Sequence, residues 1–174
     1  MAGMRAYANF LAACCVLAQA SLAMAAGDPC CRPPDAISAA AARQGVLQMA
    51  EAIRADLAKD GPAAWLRYFA DGPAFFMAAD GKLQFADVEA AKHFMPGFAA
   101  GVAHLELVWG EIRIDVLTPE MAMMAAPYSE SFTAKTGAKS AFHGYFTGLA
   151  VRTPGGWKLR DLHWSSDNTA PAGG

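Results

Sequence analysis

The strongest constraint on the fold is a period-two pattern of apolar side chains that runs from His104 to Ser165. Successive side chains of a strand point to opposite faces of a sheet, so this period predicts β-strands. Turn residues divide the pattern into four long segments, which we assign as strands over residues 104–117, 121–133, 140–152 and 157–165. Long strands joined by short turns predict an antiparallel meander.

The first of these segments, HLELVWGEIRIDVL, changes the parity of its apolar positions in the middle. Apolar residues occupy odd positions up to Trp109 and even positions after Gly110. A regular strand cannot change its buried face, so we predict a β-bulge or a sharp coil at Gly110. The alternative is a regular strand that buries one face along its first half and the opposite face along its second half. A bulge would also curl the sheet. A sheet of such long strands must curl if it is to wrap around a few helices.

Two helices are predicted before the first strand. Asp35 is a suitable N-cap for the first helix, which ends at Asp60-Gly61-Pro62 because glycine suits the position after a helix and proline cannot continue one. Its apolar stripe at helical spacing consists of Val46, Ala50, Ile53 and Leu57. Pro62 opens a short second helix that ends at Asp71-Gly72-Pro73.

A small hairpin and a third helix fill the remaining space before the long strands. The apolar stretch 74–78 is predicted as a strand, Asp80-Gly81 as the hairpin turn, and 82–85 as the return strand. Asp87 caps the third helix, and Pro96-Gly97 ends it. Helices followed by an antiparallel sheet indicate an α+β fold, in which three N-terminal helices pack on a curled antiparallel sheet.

The first 25 residues have the composition of an export signal. Arg5 precedes an apolar run, 6–22, and Ala23-Met24-Ala25 supplies small residues at the positions that a signal peptidase reads. We therefore predict cleavage after Ala25 and a periplasmic or secreted protein. The alternatives are an uncleaved membrane anchor, or a lipoprotein attached through Cys14.

The mature chain is predicted to contain a flexible leader (26–35), one domain (36–166) and a disordered tail (167–174). Cys30 and Cys31 lie in the leader, and export makes their oxidation plausible, although adjacent cysteines close only a small, strained ring. Of 14 Lys and Arg residues, Arg5 leaves with the signal, so 13 face 16 acidic residues. This weak, evenly spread charge argues against binding to nucleic acid or to an anionic membrane, and no stable membrane span is expected after cleavage.

The order of elements, together with two local motifs, resembles the nuclear transport factor 2-like superfamily and in particular its SnoaL-like branch. The stretch GPAAWLRYFAD (61–71) resembles the second helix of the family running into its first strand. The ending GGWKLRDLHWS (155–165) is similar to the terminal strand, G-W-x-I/L-x-x-x-H-x-S. The resemblance covers about residues 36–165. It implies a cone-shaped α+β barrel with an apolar cavity between sheet and helices, commonly as a homodimer.

This resemblance leaves the function open, because the superfamily contains isomerases, cyclases, dehydratases, association domains and pure binders. In its ketosteroid isomerase branch, a carboxylate base stands near the end of the first strand. Met77 occupies that position here, and Asp80 belongs to the turn that follows. Proton abstraction from this position is therefore not expected, because methionine has no proton to exchange.

Glu130 is the strongest catalytic candidate on the predicted strands. It shares its parity with the apolar and aromatic residues Met124, Ala126, Tyr128 and Phe132. A carboxylate on an apolar cavity wall has its pKa raised by desolvation and can serve as a general acid or base. The alternative is a charge on the open face of the sheet or at a dimer contact.

His143 is the second catalytic candidate. It shares its parity with Tyr145, Thr147, Leu149 and Val151, which predicts that it faces the covered side of the sheet. Either Tyr128 or Tyr145 would then donate a hydrogen bond to the substrate. His163, on the last strand, is either a hydrogen-bonding group of the pocket or a structural histidine.

The residues predicted to contact a ligand are Tyr68, Phe76, Met77, Trp109, Tyr128, Tyr145 and His163. Other side chains that suit an apolar cavity are Phe94, Phe98, Met123, Phe146 and Trp164, although such residues more often form plain core. The four histidines have no recognised metal-ligand spacing, and the sequence contains no phosphate loop or Gly-x-Ser-x-Gly motif. We therefore predict no metal and no cofactor.

Together these observations predict an exported SnoaL-like domain that binds a small, largely hydrophobic molecule and forms a homodimer through its sheet. One alternative is a cofactor-free isomerase, lyase or cyclase that uses Glu130 or His143 as its base. The other is a structural dimerisation module whose cavity is filled by side chains.

Overall fold

The structure, a computed structural model, describes residues 35–167. Its elements in chain order are α1 (Ala36–Asp60), a 3-10 helix (Pro62–Arg67), β1 (Phe76–Ala79), β2 (Lys82–Phe85), α2 (Val88–Gly101), β3 (Val102–Trp109), β4 (Arg113–Thr118), β5 (Met121–Ala134), β6 (Lys139–Thr153) and β7 (Gly156–Ser166). The fold is α+β, as the sequence predicts. The last three predicted strands correspond to β5, β6 and β7, and each predicted end lies within one residue of the observed end.

The described residues form one curled, seven-stranded sheet in the order β2-β1-β7-β6-β5-β3, with β4 also paired to β5. Its two edges do not meet, so the cone-shaped barrel that the resemblance implied is not closed. The prediction of a purely antiparallel sheet is wrong at one pair, because β1 runs parallel to β7. The chain already lies beside β7 before β1 begins, through a parallel bridge between Phe69 and Leu159. In a meander each strand pairs only with the strands next to it in the chain, so the sequence pattern does not predict a pairing of β1 with β7.

The parity change in the first long segment is caused by a bulge. Strand β3 ends where Trp109 pairs with Tyr128, and β4 begins where Arg113 pairs with Ala125. Three residues, 110–112, therefore lie opposite two residues of β5, and the extra residue moves the apolar side chains from odd to even positions. The predicted bulge is confirmed, whereas the single strand over 104–117 is two strands.

Helix α1 has the ends and the buried stripe that the sequence predicts. The Asp35 side chain accepts a hydrogen bond from the Ser38 N–H (2.9 Å). Gly61, at φ 73°, donates its N–H to the Leu57 carbonyl (2.9 Å). The predicted stripe is completely buried: Val46, Ala50, Ile53 and Leu57. These side chains fix the helix against the concave face of the sheet, where they form part of the hydrophobic core.

The other two predicted helices differ from the observed ones. The second is a 3-10 helix of six residues rather than an α-helix. The third, α2, continues through Pro96 to Gly101. Proline removes one backbone donor but does not end this helix, because the next turn adds apolar contacts of its own. Phe98 in that turn packs edge-on against Phe132, with the ring centroids 6.1 Å apart.

The turn of the small hairpin is the predicted one and also ties the hairpin to β7. Asp80 (φ 48°) and Gly81 (φ 77°) both have left-handed backbone conformations, as a type I′ turn requires. The Asp80 N–H donates to the Trp164 carbonyl (3.0 Å), and its carboxylate accepts from the Ser166 N–H (2.6 Å). The turn therefore fixes the position of the last residues of β7.

The predicted signal peptide, its cleavage site and the leader with Cys30 and Cys31 lie outside the described residues, as does the tail beyond Asp167. Within residues 35–167, no helix is long and apolar enough to cross a membrane.

Candidate functional site

A cavity of about 260 Å³ opens between the concave face of the sheet, the 3-10 helix and α2. Its walls are mainly apolar and contain eight aromatic rings. The lining residues are Trp65, Phe69, Met77, Ala79, Gln84, Phe85, Phe94, Met95, Phe98, Tyr128, Glu130, Phe142, Leu162, Trp164 and Ser166. Apolar walls with a few polar groups are typical of small-molecule sites.

Strand β5 brings Tyr128 and Glu130 to the same wall of the cavity. Both belong to the even-numbered positions of β5, and buried Ala122, Met124 and Ala126 show that this set faces the core. Glu130 pairs with Leu107 on β3 and with Phe142 on β6. The carboxylate therefore lies between apolar neighbours on both sides within the sheet, as the parity of the sequence predicts.

The environment of Glu130 disfavours its charged form. The side chain is half-buried, and burial raises the pKa of its carboxyl from the ordinary 4.5 to about 7. Among residues 35–167, its carboxylate makes no hydrogen bond and no ion pair. A group with this pKa exists in both protonation states near neutral pH, so it can accept or donate a proton.

Tyr128 and Ser166 form the polar end of the same wall. A hydrogen bond joins Tyr128 Oη and Ser166 Oγ (3.1 Å), and the Tyr128 ring packs edge-on against Trp164 at 4.7 Å between centroids. Burial raises the pKa of the Tyr128 hydroxyl, and the nearby carboxylates of Glu130 and Asp80 raise it further against the lowering effect of Ser166. Tyr128 is thus a neutral hydrogen-bonding group at physiological pH.

His143 does not join Glu130 in the cavity. It is exposed, and a hydrogen bond joins its Nδ1 to Ser129 Oγ (2.9 Å) on the outer face of the sheet. The prediction that it faces the covered side is wrong. Leu149 suggested that face, but it is buried on the outer face, where it lies opposite Met123 and Asp161.

Three predicted ligand contacts share this outer face. Tyr145 and Phe76 are 39% and 41% exposed, and His163 is exposed on β7 next to Thr147. All three alternate with residues that point inward. Only a ligand on the convex side of the sheet would reach them.

Of the remaining predicted contacts, Met77 and Tyr128 line the cavity and two others lie elsewhere. Tyr68 donates its hydroxyl to the Asp56 carboxylate (2.8 Å), away from the cavity. Trp109 faces inward but belongs to the core: its indole N–H donates to the Ala50 carbonyl (3.0 Å), and its ring stacks on Trp164 at 5.9 Å.

Several lining residues were not predicted as ligand contacts: Trp65, Phe69, Gln84, Phe85, Phe142 and Ser166. Phe94, Phe98 and Trp164 were named only as side chains that suit an apolar cavity. The signal for Phe94 and Phe98 is their spacing of four, which places both on one face of a helix that passes Pro96. The signal for Phe142 is its pairing with Glu130, which depends on the register of β5 and β6.

Within the described part of the chain, no three His, Cys, Asp or Glu side chains come close enough to hold a metal ion. No protein-family model matches the sequence, and no curated protein matches it in sequence. The fold, by contrast, is found in many solved structures.

Three solved structures illustrate this likeness. A nuclear transport factor 2-like superfamily protein from Salmonella enterica is 14% identical, with a TM-score of 0.63 over 77% of this chain and 96% of that one. The type 3 hexachlorocyclohexane dehydrochlorinase from Novosphingobium barchaimii is 11% identical, with a TM-score of 0.61 over 79% and 94%. A type 2 dehydrochlorinase, also 11% identical, gives 0.63 over 79% and 93%. The resemblance seen in the sequence is thus confirmed for the fold: this chain has the fold of the nuclear transport factor 2-like superfamily.

Proposed function

We propose that the protein binds a small, largely hydrophobic molecule in the cavity beneath α2. The observation that carries this proposal is the cavity itself: about 260 Å³ of space walled by eight aromatic rings, with Glu130, Tyr128, Ser166 and Gln84 as its polar groups. A structural module with a filled interior would not have such a space. The small volume, close to the lower end of the usual range of about 300–1,000 Å³, favours a ligand with a single ring.

The uncharged single-ring dye 4-(dimethylamino)benzonitrile tests this proposal, because its fluorescence rises when it enters an apolar site. Ala79 lines the cavity, whereas Ala78 lies next to it on β1 and points to the other face. Ala79→Phe should fill the cavity and abolish the rise, and Ala78→Phe should leave it unchanged. Equal dye binding by wild type and Ala79→Phe would contradict the proposal.

A second candidate function is proton abstraction by Glu130, in a cofactor-free isomerase, lyase or cyclase. The specific observation in its favour is a half-buried carboxyl with a pKa of about 7 on the same wall as the Tyr128 hydroxyl. A base with a pKa near the working pH combines a useful ionised fraction with a strong tendency to take a proton. Two of the similar structures are named as dehydrochlorinases.

Deuterium exchange at the carbon between the ring and the carbonyl of phenylacetone, followed by NMR in D₂O, measures this activity directly. Wild type should accelerate exchange over buffer, and Glu130→Gln should not. His143→Ala is the control, because His143 lies on the outer face and should not affect the rate. An exchange rate unchanged by Glu130→Gln would exclude Glu130 as the base.

We also propose that the protein is exported and that it forms a homodimer through the outer face of its sheet. This face presents several exposed apolar side chains: Phe76, Val108, Met123 and Tyr145. Sedimentation velocity on wild type and Tyr145→Lys tests the dimer, since a lysine on a dimer interface should shift the protein to monomer. N-terminal sequencing of the protein recovered from its native host tests export, and an intact Met1 would refute cleavage.

A further inference from the structure

Among the described residues that line the cavity, Glu130 is the one charged side chain. Within residues 35–167, no lysine, arginine or histidine lines the wall. A carboxylate that leaves water without a partner loses much of its solvation, and either a proton or a bound cation can compensate for that loss. The cavity therefore favours a positively charged ligand over a negatively charged one.

The residues around Glu130 strengthen this preference. In the sheet its neighbours are Leu107 on β3 and Phe142 on β6. Strands β1 and β2 and helix α2 contribute to the same cavity only uncharged side chains: Met77, Ala79, Gln84, Phe85, Phe94, Met95 and Phe98. The other titratable groups near this wall are Tyr128 and the carboxylate of Asp80. With Glu130 ionised, the field inside the cavity is therefore negative, and no basic side chain among the described lining residues offsets it.

We propose that the cavity selects a small hydrophobic amine, bound as its ammonium ion, with the Glu130 carboxylate as counter-ion and the aromatic rings as its cage. This proposal rests on the proposed ligand-binding function and specifies the chemical class of the ligand.

An ammonium ion fits the chemistry of the wall in two ways. It carries three N–H donors, and the wall offers oxygen acceptors on Glu130, Tyr128 and Ser166. Aromatic faces attract cations through the negative charge density above the ring, and this attraction is strongest where water is excluded. An anionic ligand would be repelled by the carboxylate and by the negative charge density of the ring faces. A neutral ligand would leave the charge of Glu130 unpaired.

Three probes with the same ring and similar length separate these cases: 2-phenylethylamine, the neutral 2-phenylethanol and the anionic phenylacetate. Isothermal titration calorimetry of the full protein at about pH 8.5, where Glu130 is ionised, should give the amine an advantage of about tenfold or more in Kd over the alcohol. Phenylacetate should bind most weakly.

Glu130→Gln keeps the shape of the side chain and removes its charge. In this variant the amine should lose most of its advantage over the alcohol, because only the weaker attraction of the aromatic rings for the cation remains. The advantage of the amine in wild type should also shrink as the pH falls to about 5, because the carboxyl is then protonated.

Equal affinities for amine and alcohol in wild type, or an amine advantage that Glu130→Gln leaves unchanged, would overturn the inference. Tighter binding of phenylacetate than of 2-phenylethylamine by wild type at about pH 8.5 would also overturn it, because an ionised Glu130 should repel the anion. In each of these cases, if the dye still enters the cavity and Ala79→Phe still excludes it, the proposed binding function stands. If neither the dye nor any probe binds, both proposals fail.

Discussion

The backbone N–H of Gly110 donates a hydrogen bond to the carbonyl oxygen of Pro127 (2.8 Å) at the position where the sheet changes its pairing from β3 to β4. Proline has no N–H, so β5 cannot continue its ladder on this side of Pro127. The bulge on the facing segment lies where the missing donor would have been needed. The hydrogen-bond ladder between β5 and its neighbours β3 and β4 is thus interrupted at Pro127, the residue that lacks the donor.

Gly110→Ala should destabilise the protein by about 1 kcal/mol. A Cβ at this position would lie 3.2 Å from both Cβ and Cγ of Pro127, a contact that requires a small shift of the ring. Gly97→Ala is the matched control, because nothing lies within 4 Å of a Cβ there and the site is inside α2. The control should gain about 0.5–1 kcal/mol from helix propensity. Urea unfolding measures both, and equal effects of the two substitutions would refute the packing argument.

Gly144→Ala should be far more damaging, with a loss of about 3 kcal/mol or more. Gly144 pairs with Tyr128 and Ser166, and a Cβ there would lie 1.8 Å from the Ser165 carbonyl oxygen and 2.9 Å from the Tyr128 ring. Strand β7 would have to move, and the cavity wall with it.

The control for Gly144→Ala is Gly155→Ala, in the turn that joins β6 to β7. A Cβ at Gly155 would make only ordinary contacts, the nearest at 3.7 Å. Thermal and urea unfolding should therefore show a large loss for Gly144→Ala and little change for Gly155→Ala. A stable Gly144→Ala variant that still binds the dye would show that β7 can shift at little cost.

Glu130→Gln should stabilise the protein relative to wild type in a pH-dependent way. Burial raises the folded-state pKa of Glu130 from 4.5 to about 7, so the folded protein holds a proton that the unfolded chain has released between these values. The cost of ionising the buried carboxyl is absent below about pH 4.5, grows as the pH rises, and is complete above about pH 7. The stability difference between variant and wild type should grow by about 2–3 kcal/mol over this interval.

Urea unfolding at several values between about pH 4.5 and pH 8 measures this difference. Glu111→Gln is the control, because Glu111 is exposed on the bulge and has no burial to relieve. If the stability difference between Glu130→Gln and wild type stays constant across the range, the carboxyl of Glu130 is not desolvated in solution.

Tyr68→Phe should reduce stability by about 1 kcal/mol and leave ligand binding unchanged. Its hydroxyl donates to Asp56, which also pairs with Arg67 (2.6 Å), and burial together with the Asp56 carboxylate raises the pKa of Tyr68 to about 12. The substitution removes this hydrogen bond outside the cavity. Unfolding and dye titration on the same variant test both statements. A loss of dye affinity without a loss of stability would show that Tyr68 contributes to ligand binding rather than to folding.

Local sequence patterns were enough to predict most of the framework. The caps at Asp35 and Gly61 and the I′ turn at Asp80-Gly81 each follow from the backbone preferences of a few residues, and the bulge at Gly110 follows from the change of parity along residues 104–117. The inward position of Glu130 also follows, because β5 is regular and its neighbours at the same parity are apolar. Such features depend on short stretches of chain, so the sequence contains the information that determines them.

The tertiary structure decided which faces meet. His143 and Glu130 lie on strands of equally clear parity, yet they point to opposite faces, because the register of β6 against β5 places Phe142 rather than His143 beside Glu130. The parallel pairing of β1 with β7, and the continuation of α2 past Pro96, likewise depend on contacts between residues distant in sequence. By itself the sequence determined the strands, their turns and the carboxylate on an apolar stripe. Only the packing of α2 and β7 against that stripe formed the aromatic cavity around it.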